Sequence, residues 1–370
     1  MISHVPAQVG MSIDDIQTPA LVVDLDIFER NMHAMAAFTR AAGIRLRPHA
    51  KAHKCPAIAL MQVANGAVGV CCQKVSEADV LVDAGIQDVL ITNEIVDRRK
   101  LQRVVELAQS ARISVCVDDP EQVRALGEAA QQKNIEIDVL IEINVGHGRC
   151  GMTPGVPVVQ TADLVRRTAG LRFAGLQAYQ GAAQHFRSPE KRRRAIAQAA
   201  SLVEVTKSAL SANNIDCPFV SGAGTGSFPF EISTGQYTEI QPGSYIFMDA
   251  DYARNEPNPH SPSFQQSLLV YTTVMSVAVD GQAVLDAGYK ALSVDSGYPL
   301  AWQRDIQVLG MSDEHTRVSQ SITTPLKLGE RVFLIPGHID PTVNLHDWYV
   351  GIRKGVVETL WPIAAKGPGL

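Results

Sequence analysis

From Ala20 to about Phe247, short runs rich in β-branched residues alternate with longer stretches whose apolar positions recur every three or four residues. The short runs predict strands and the longer ones helices. Candidate strands fall at 45–48, 68–71, 89–92, 113–117, 137–143, 173–178, 219–221 and 239–247. Helix-length segments separate them, among them 74–84 and 97–109. Gly85 and Gly170 stand where a helix ends in a left-handed residue, and Asp119-Pro120 reads as a cap followed by proline in the first turn. Eight strands with helical crossovers predict a (β/α)8 barrel over residues 18–254. The even spacing favours this over a doubly wound sheet.

The pattern changes after Tyr252. Residues 255–262 are rich in Pro and Asn and read as a linker. Helical spacing then nearly disappears. The run 268–279, the turn Asp280-Gly281 and the run 283–285 predict a hairpin, and 331–335 predicts another strand. Residues 351–361 turn at Lys354-Gly355. A second, mostly β domain is expected over 263–370.

Composition narrows the function classes. A chain of 370 residues with net charge −5 has no basic tract beyond Lys191–Arg194, so nucleic acid is a poor partner. No apolar run is long enough to span a membrane, and the first residues lack a signal-peptide pattern. The six cysteines form no C-x-x-C and no disulfide spacing, which fits small buried hydrophobes in a reducing cytoplasm.

Candidate chemistry gathers just past the predicted strands, where barrel enzymes carry their sites. Ile44 and Leu46 alternate with Arg45 and Arg47 up to Pro48, which ends or edges the strand. His49, Lys51 and His53 follow at every second position. A lysine among other cations is expected to lose its proton readily and suits Schiff-base chemistry; a solvated basic loop is the plainer alternative. Gln73, Asn93, Asp118, Asn144, Arg149, Tyr179 and His185 follow later strands, each with an alternative as a loop or cap residue. Ser221–Gly226 and Gln241–Tyr245 are glycine-bearing loops of the kind that close around phosphate at the seventh and eighth strands. In the second domain, His338-Ile339-Asp340 would present imidazole and carboxylate on one side of an extended segment, for one ion or for each other. His346-Asp347 is expected to be structural.

The pairing of Thr18–Asp26 with Arg47-Pro48-His49-Ala50-Lys51 resembles the opening of alanine racemase-like, fold-type III enzymes that use pyridoxal 5'-phosphate. The wording of the second stretch is similar to the branch of D-threonine aldolases, 3-hydroxy-D-aspartate aldolases and metal-dependent D-serine dehydratases. The resemblance implies that Lys51 carries the cofactor as a Schiff base. It also implies that Thr225, Gly243 and Ser244 hold its phosphate and that Gln73 and Tyr252 contact it. Tyr179 and His185 would line the site, and Arg149 would face the pyridine nitrogen. His338-x-Asp340 matches the aldolases' metal pair, where dehydratases carry His-x-Cys, so Mn²⁺ or Mg²⁺ is expected, with Co²⁺ or Zn²⁺ as alternatives. Residues 1–17 would join the β domain, and relatives form homodimers. Ala52 departs from relatives that carry a hydroxyl residue there. The implied activity is retro-aldol cleavage of a small-molecule D-β-hydroxy-α-amino acid, with His185 or metal-bound water as base. A dehydratase, a racemase and a non-catalytic cofactor carrier are the alternatives.

Overall fold

The computed structural model describes residues 4–259, 261–320 and 323–369. Met1, Ile2, Ser3 and His260, on which the leader and linker expectations partly fall, lie outside the described residues. Eight strands form one parallel sheet in the order Arg45–Leu46, Glu239–Ile240, Val220–Gly222, Leu171–Ala178, Ile137–Glu142, Arg112–Val117, Asp88–Glu94 and Val70–Cys72. The sheet closes on itself through the segment around Pro48. Leu46 O and Pro48 O accept from Val68 N (2.9 Å) and Cys71 N (2.8 Å), while Arg47 N and His49 N donate to Ile240 O and Pro242 O. Pro48 therefore does not end the ladder: it lacks the N–H but still supplies its carbonyl.

Helices pack outside the barrel. Val104, Val123, Val158 and Val203 are buried in one cluster with strand residues such as Ile91, Val115 and Val139. Inside, the apolar filling is small: Cys71, Leu90, Cys116 and Leu140 form a separate cluster. All six cysteines are free, and burial pushes the Cys71 and Cys116 thiols well up, as inert core residues require. The rest of the lumen is polar. Arg47 Nε donates to Glu239 Oε1 (2.9 Å), which also accepts from Ser221 Oγ (2.8 Å); Gln241 Nε2 donates to Ser221 Oγ (2.7 Å) and to Gln177 Oε1 (2.9 Å). Every member of this chain is buried, so mutual hydrogen bonding is what offsets the cost of its burial.

The second domain is a nine-stranded mixed sheet. Its path runs Val308–Met311, Thr316–Ser319, Gln282–Leu285, Leu268–Ser276, Ala20–Asp24, Trp348–Arg353 and Val356–Pro362, with Arg331–Ile335 also on Leu268–Ser276. The last hairpin turns with positive φ at both Lys354 (49°) and Gly355 (77°), the twist that two-residue hairpin loops favour. Ala20–Asp24 corrects the expected boundary at residue 18. It pairs antiparallel with Leu268–Tyr271 and parallel with Tyr349–Ile352, so it belongs to the β domain. Its four leading residues are buried on both faces, a run that marks a central strand without saying of which sheet. Among the described residues no helix is long and apolar enough to cross a membrane.

Candidate active site

Lys51 lies in a short 3-10 turn, Ala50–Ala52, directly after the segment that closes the barrel. The turn separates the three residues that sequence alternation placed together. His53 is fully buried, its Nδ1 accepting from Cys55 N (3.1 Å), while Lys51 enters a cavity of about 160 Å³ at the C-terminal rim. Burial drives His53 down to about 4 and, with Lys51 and Arg149 beside it, holds His49 well below the usual imidazole range. Both rings are neutral, not cationic. Burial also disfavours the Lys51 ammonium, but Asp340 and Tyr179 outweigh it and raise the lysine. The expected readiness to lose a proton is therefore not a property of this arrangement, because the carboxylate of the second domain lies 3.7 Å from Lys51 Nζ.

The same cavity is lined by Gln73, Arg149, Tyr179, His185, Thr225 and Tyr252 from the barrel loops. Gly243 and Ser244 of the eighth-strand loop join them, and His338 and Asp340 complete the wall from the β domain. All the candidate site residues thus meet in one place. Asn93, Asp118 and Asn144 do not line it; they hold loops, Asn144 Oδ1 accepting from Gly146 N and Gly148 N, for example. His346 Nε2 bonds Ala291 O (2.9 Å) and faces another cavity, a structural role.

The barrel side fits a phosphorylated pyridine. His49 Nε2, Gln73 Nε2 and Thr92 Oγ1 stand within 3.0–3.2 Å of one another, and His49 Nδ1 is buried without a partner among the described residues. Thr225 Oγ1 accepts from Tyr245 N (3.0 Å), which leaves its own proton free to donate. A Cβ on Gly243 would lie 2.8 Å from His49 O, so only glycine lets these two loops approach. Ala223 holds φ 68°, a left-handed strain of the sort concentrated in ligand-gripping loops. Gly226 N already donates to Gln184 Oε1 (2.9 Å). Arg149 Nη2 is 3.8 Å from Glu142 Oε1. Burial, reinforced by Glu94, pushes the Glu142 carboxyl up to about 8.

The β-domain side fits a cation. His338 caps the helix Ile339–Val343 and Asp340 sits in its first turn, so the two side chains converge at a helix start and not along an extended segment. His338 Nδ1 bonds Asp295 Oδ2 (2.7 Å), which leaves Nε2 for a ligand. Asp340 Oδ1 is buried and unpartnered among the described residues, an orphan that a cation would satisfy. A separate donor group, Glu94, Asp118 and Cys150, lies beside Arg149's loop and includes neither residue.

Three acidic residues escaped the sequence. Asp251 Oδ2 bonds His185 Nδ1 (2.6 Å), and its other oxygen takes Arg187. Asp249 ties the domains together, Oδ1 accepting from Tyr252 N (2.8 Å) and Oδ2 from Ile339 N (3.1 Å). Asp295 steadies His338 from a loop 43 residues away. The adjacency of Asp249 and Asp251 to Tyr252 was a usable signal; Asp295 had none.

Comparison with known proteins agrees with this geometry. The profile described as alanine racemase, N-terminal domain, matches residues 23–251, and that described as putative serine dehydratase domain matches 267–352. A 3-hydroxy-D-aspartate aldolase of Paracoccus denitrificans (strain Pd 1222) is 44% identical over 99% of this chain and 96% of its own. A D-threonine aldolase of Arthrobacter sp. is 45% identical over 98% and 96%. The crystal structure of D-threonine aldolase from Filomicrobium marinum superimposes with a TM-score of 0.96 at 49% identity, covering 98% of this chain and 99% of that one. The D-threo-3-hydroxyaspartate dehydratase of Delftia sp. (strain HT23) is more distant, at 27% identity. A barrel lysine meeting a second domain's His-x-Asp in one cavity, with relatives this near over the whole length, identifies the chain as a member of the alanine racemase-like family, in its D-threonine and 3-hydroxy-D-aspartate aldolase branch.

Proposed function

We propose that this protein is a pyridoxal 5'-phosphate- and divalent metal-dependent aldehyde-lyase that cleaves D-β-hydroxy-α-amino acids to glycine and an aldehyde. The observation that carries the proposal is the meeting of Lys51 with Asp340 across the domain boundary, 3.7 Å apart. Cleavage of a β-hydroxy amino acid breaks Cα–Cβ while the β-hydroxyl loses its proton and becomes a carbonyl. Lys51 would hold the cofactor until the substrate's amino group replaces it, and the cofactor would then supply an electron sink for the pair left on Cα. Thr225, Ser244 and the Gly243 backbone would hold its phosphate, and Arg149 would face the ring nitrogen with a permanent charge. His338 Nε2 and Asp340 would hold a divalent ion that acidifies the β-hydroxyl.

His185 then serves as base. Its Nδ1 faces Asp251, so Nε2 is the nitrogen left to take the β-hydroxyl proton. Tyr252 lies beside the imidazole, ring centroids 5.8 Å apart, and limits how far it swings. The test is product analysis with D-threonine and Mn²⁺. Glycine and acetaldehyde are expected, with L-threonine inert and D-3-hydroxyaspartate giving glycine and glyoxylate. Ammonia and a 2-oxo acid in place of glycine would refute cleavage.

A further inference from the structure

The end of the barrel remote from Lys51 opens on a second cavity, of about 410 Å³. It lies among the N-terminal ends of the strands, the face that barrel enzymes leave to stability. Arg45, Arg47, Arg112 and Arg172 line it, and among the described residues no carboxylate does. Leu90, Leu140, Ala174 and Phe219 make up much of the remaining wall.

The acids that gather these arginines stand behind them. Asp138 is buried and takes two guanidiniums at once, Arg172 Nε on Oδ1 (2.6 Å) and Arg112 Nε on Oδ2 (2.8 Å). Asp88 accepts from Arg47 Nη1 (2.7 Å), and fully buried Glu239 accepts from Arg47 Nε (2.9 Å). Four guanidiniums meet these three carboxylates and a fourth, Glu136, which stands outside the cavity wall. The exposed Glu136 pairs with Arg172 Nη1 at 3.5 Å. Arg45 has no carboxylate within ion-pair distance among the described residues. Its guanidinium lies 4.5 Å over the Phe219 ring, a contact that holds the plane at the mouth of the cavity.

Two further features make this more than a network that closes the barrel. Arg112 and Arg172 are both about half exposed, at 58% and 52%; Arg112 Nη1 stands 3.7 Å from Asp88 and Arg172 Nη1 3.5 Å from Glu136, which leaves Arg172 Nη2 and the Arg45 fork as the donors without a carboxylate among the described residues. Apolar walls around convergent like charges raise the local field, and planar guanidinium forks match the paired oxygens of phosphate or carboxylate. We infer that this cavity is a second ligand site, which binds a small oxyanion, a phosphate or carboxylate group, between Arg45, Arg112 and Arg172.

The experiment is calorimetric titration of the cofactor-loaded protein, in which the cofactor's own phosphate position is filled, with inorganic phosphate and separately with acetate. Saturable binding of one anion per chain is expected, weakening with added sodium chloride. A heat with phosphate alone assigns the site to phosphate, and one with acetate assigns it to carboxylates as well. Arg45→Gln breaks no ion pair and should fold normally. It and Arg172→Gln should each weaken binding by about tenfold, the worth of one charge-assisted contact, with turnover unchanged. No saturable heat with either anion, or binding indifferent to both substitutions, would leave the arginines as a charge network only and overturn the inference.

Discussion

Lys51 and Asp340 are separated by most of the chain, yet Nζ of one lies 3.7 Å from Oδ2 of the other. The barrel and the β domain thus share one reaction space, the barrel supplying Lys51 and Arg149 and the β domain His338 and Asp340. Lys51→Ala should abolish the visible absorption band of the cofactor-bound protein together with turnover. Lys54 is the informative control. Its Nζ pairs with the buried Glu77 carboxylate (2.7 Å), so Lys54→Ala should keep the band and lose about 3 kcal/mol of stability in urea unfolding, the cost of stranding a buried charge. A band that survives Lys51→Ala would assign the cofactor to another residue.

The cation should prove separable from the cofactor. Exhaustive chelation is expected to stop turnover while the absorption band remains, and His338→Ala should behave as the chelated protein does. Asp295→Asn keeps both proposed ligands but loosens the imidazole, and should weaken Mn²⁺ binding by about 10- to 100-fold in a metal titration. Undiminished turnover after metal removal would rule the cation out.

Asp251 is expected to act through His185. In Asp251→Asn the amide can offer N–H to Nδ1, which moves the ring proton to Nε2 and removes the lone pair from the cavity. Turnover should fall by about 100-fold or more with KM little changed. The ¹⁵N shifts of His185 should report the exchanged tautomer. An unchanged tautomer would show that Asp251 does not set it.

One buried acid gives a pH dependence of known sign. Burial pushes the Glu231 carboxyl up to about 7 against the pull of the Ser227 hydroxyl, from an ordinary value of 4.5. Between those values the unfolded chain releases a proton that the folded chain keeps, so stability falls as pH rises through the window, by about 3 kcal/mol in all. Glu231→Gln should therefore melt higher than the native chain at about pH 8, with the gain gone near pH 4.5. A pH-independent difference in Tm would mean that Glu231 does not titrate in this window.

Much of this was legible in the chain because barrel strands announce themselves by length and β-branching, and their C-terminal ends collect polar residues. Lys51 and the loops that hold Thr225 and Gly243 were found that way, and the resemblance to the alanine racemase-like family gave these residues their roles. Charge was less legible. His49 and His53 count as cations on paper, but burial makes them neutral, and Asp340 reverses the expected shift of Lys51. The helix start at His338 was hidden by the proline at 341, which marks a turn as readily as a first helical turn. Gln177 was passed over and Gln241 counted only as the start of a loop, because their role depends on facing inward across the lumen, a relation between strands that one strand's sequence does not carry.

The position of Ala20–Asp24 sets an order of events during synthesis. This strand leaves the ribosome among the first, yet both of its neighbours, Leu268–Ser276 and Trp348–Arg353, come from the last third of the chain. Most barrel strands pair with partners within tens of residues, the closing pair Arg45–Leu46 with Glu239–Ile240 excepted, whereas the parallel pairing of Leu21 with Tyr349 must close a loop spanning nearly the whole protein. Lys51 is made early and Asp340 late. The cavity that Lys51 enters therefore gains its last wall, His338 and Asp340, only after nearly the whole chain has been made.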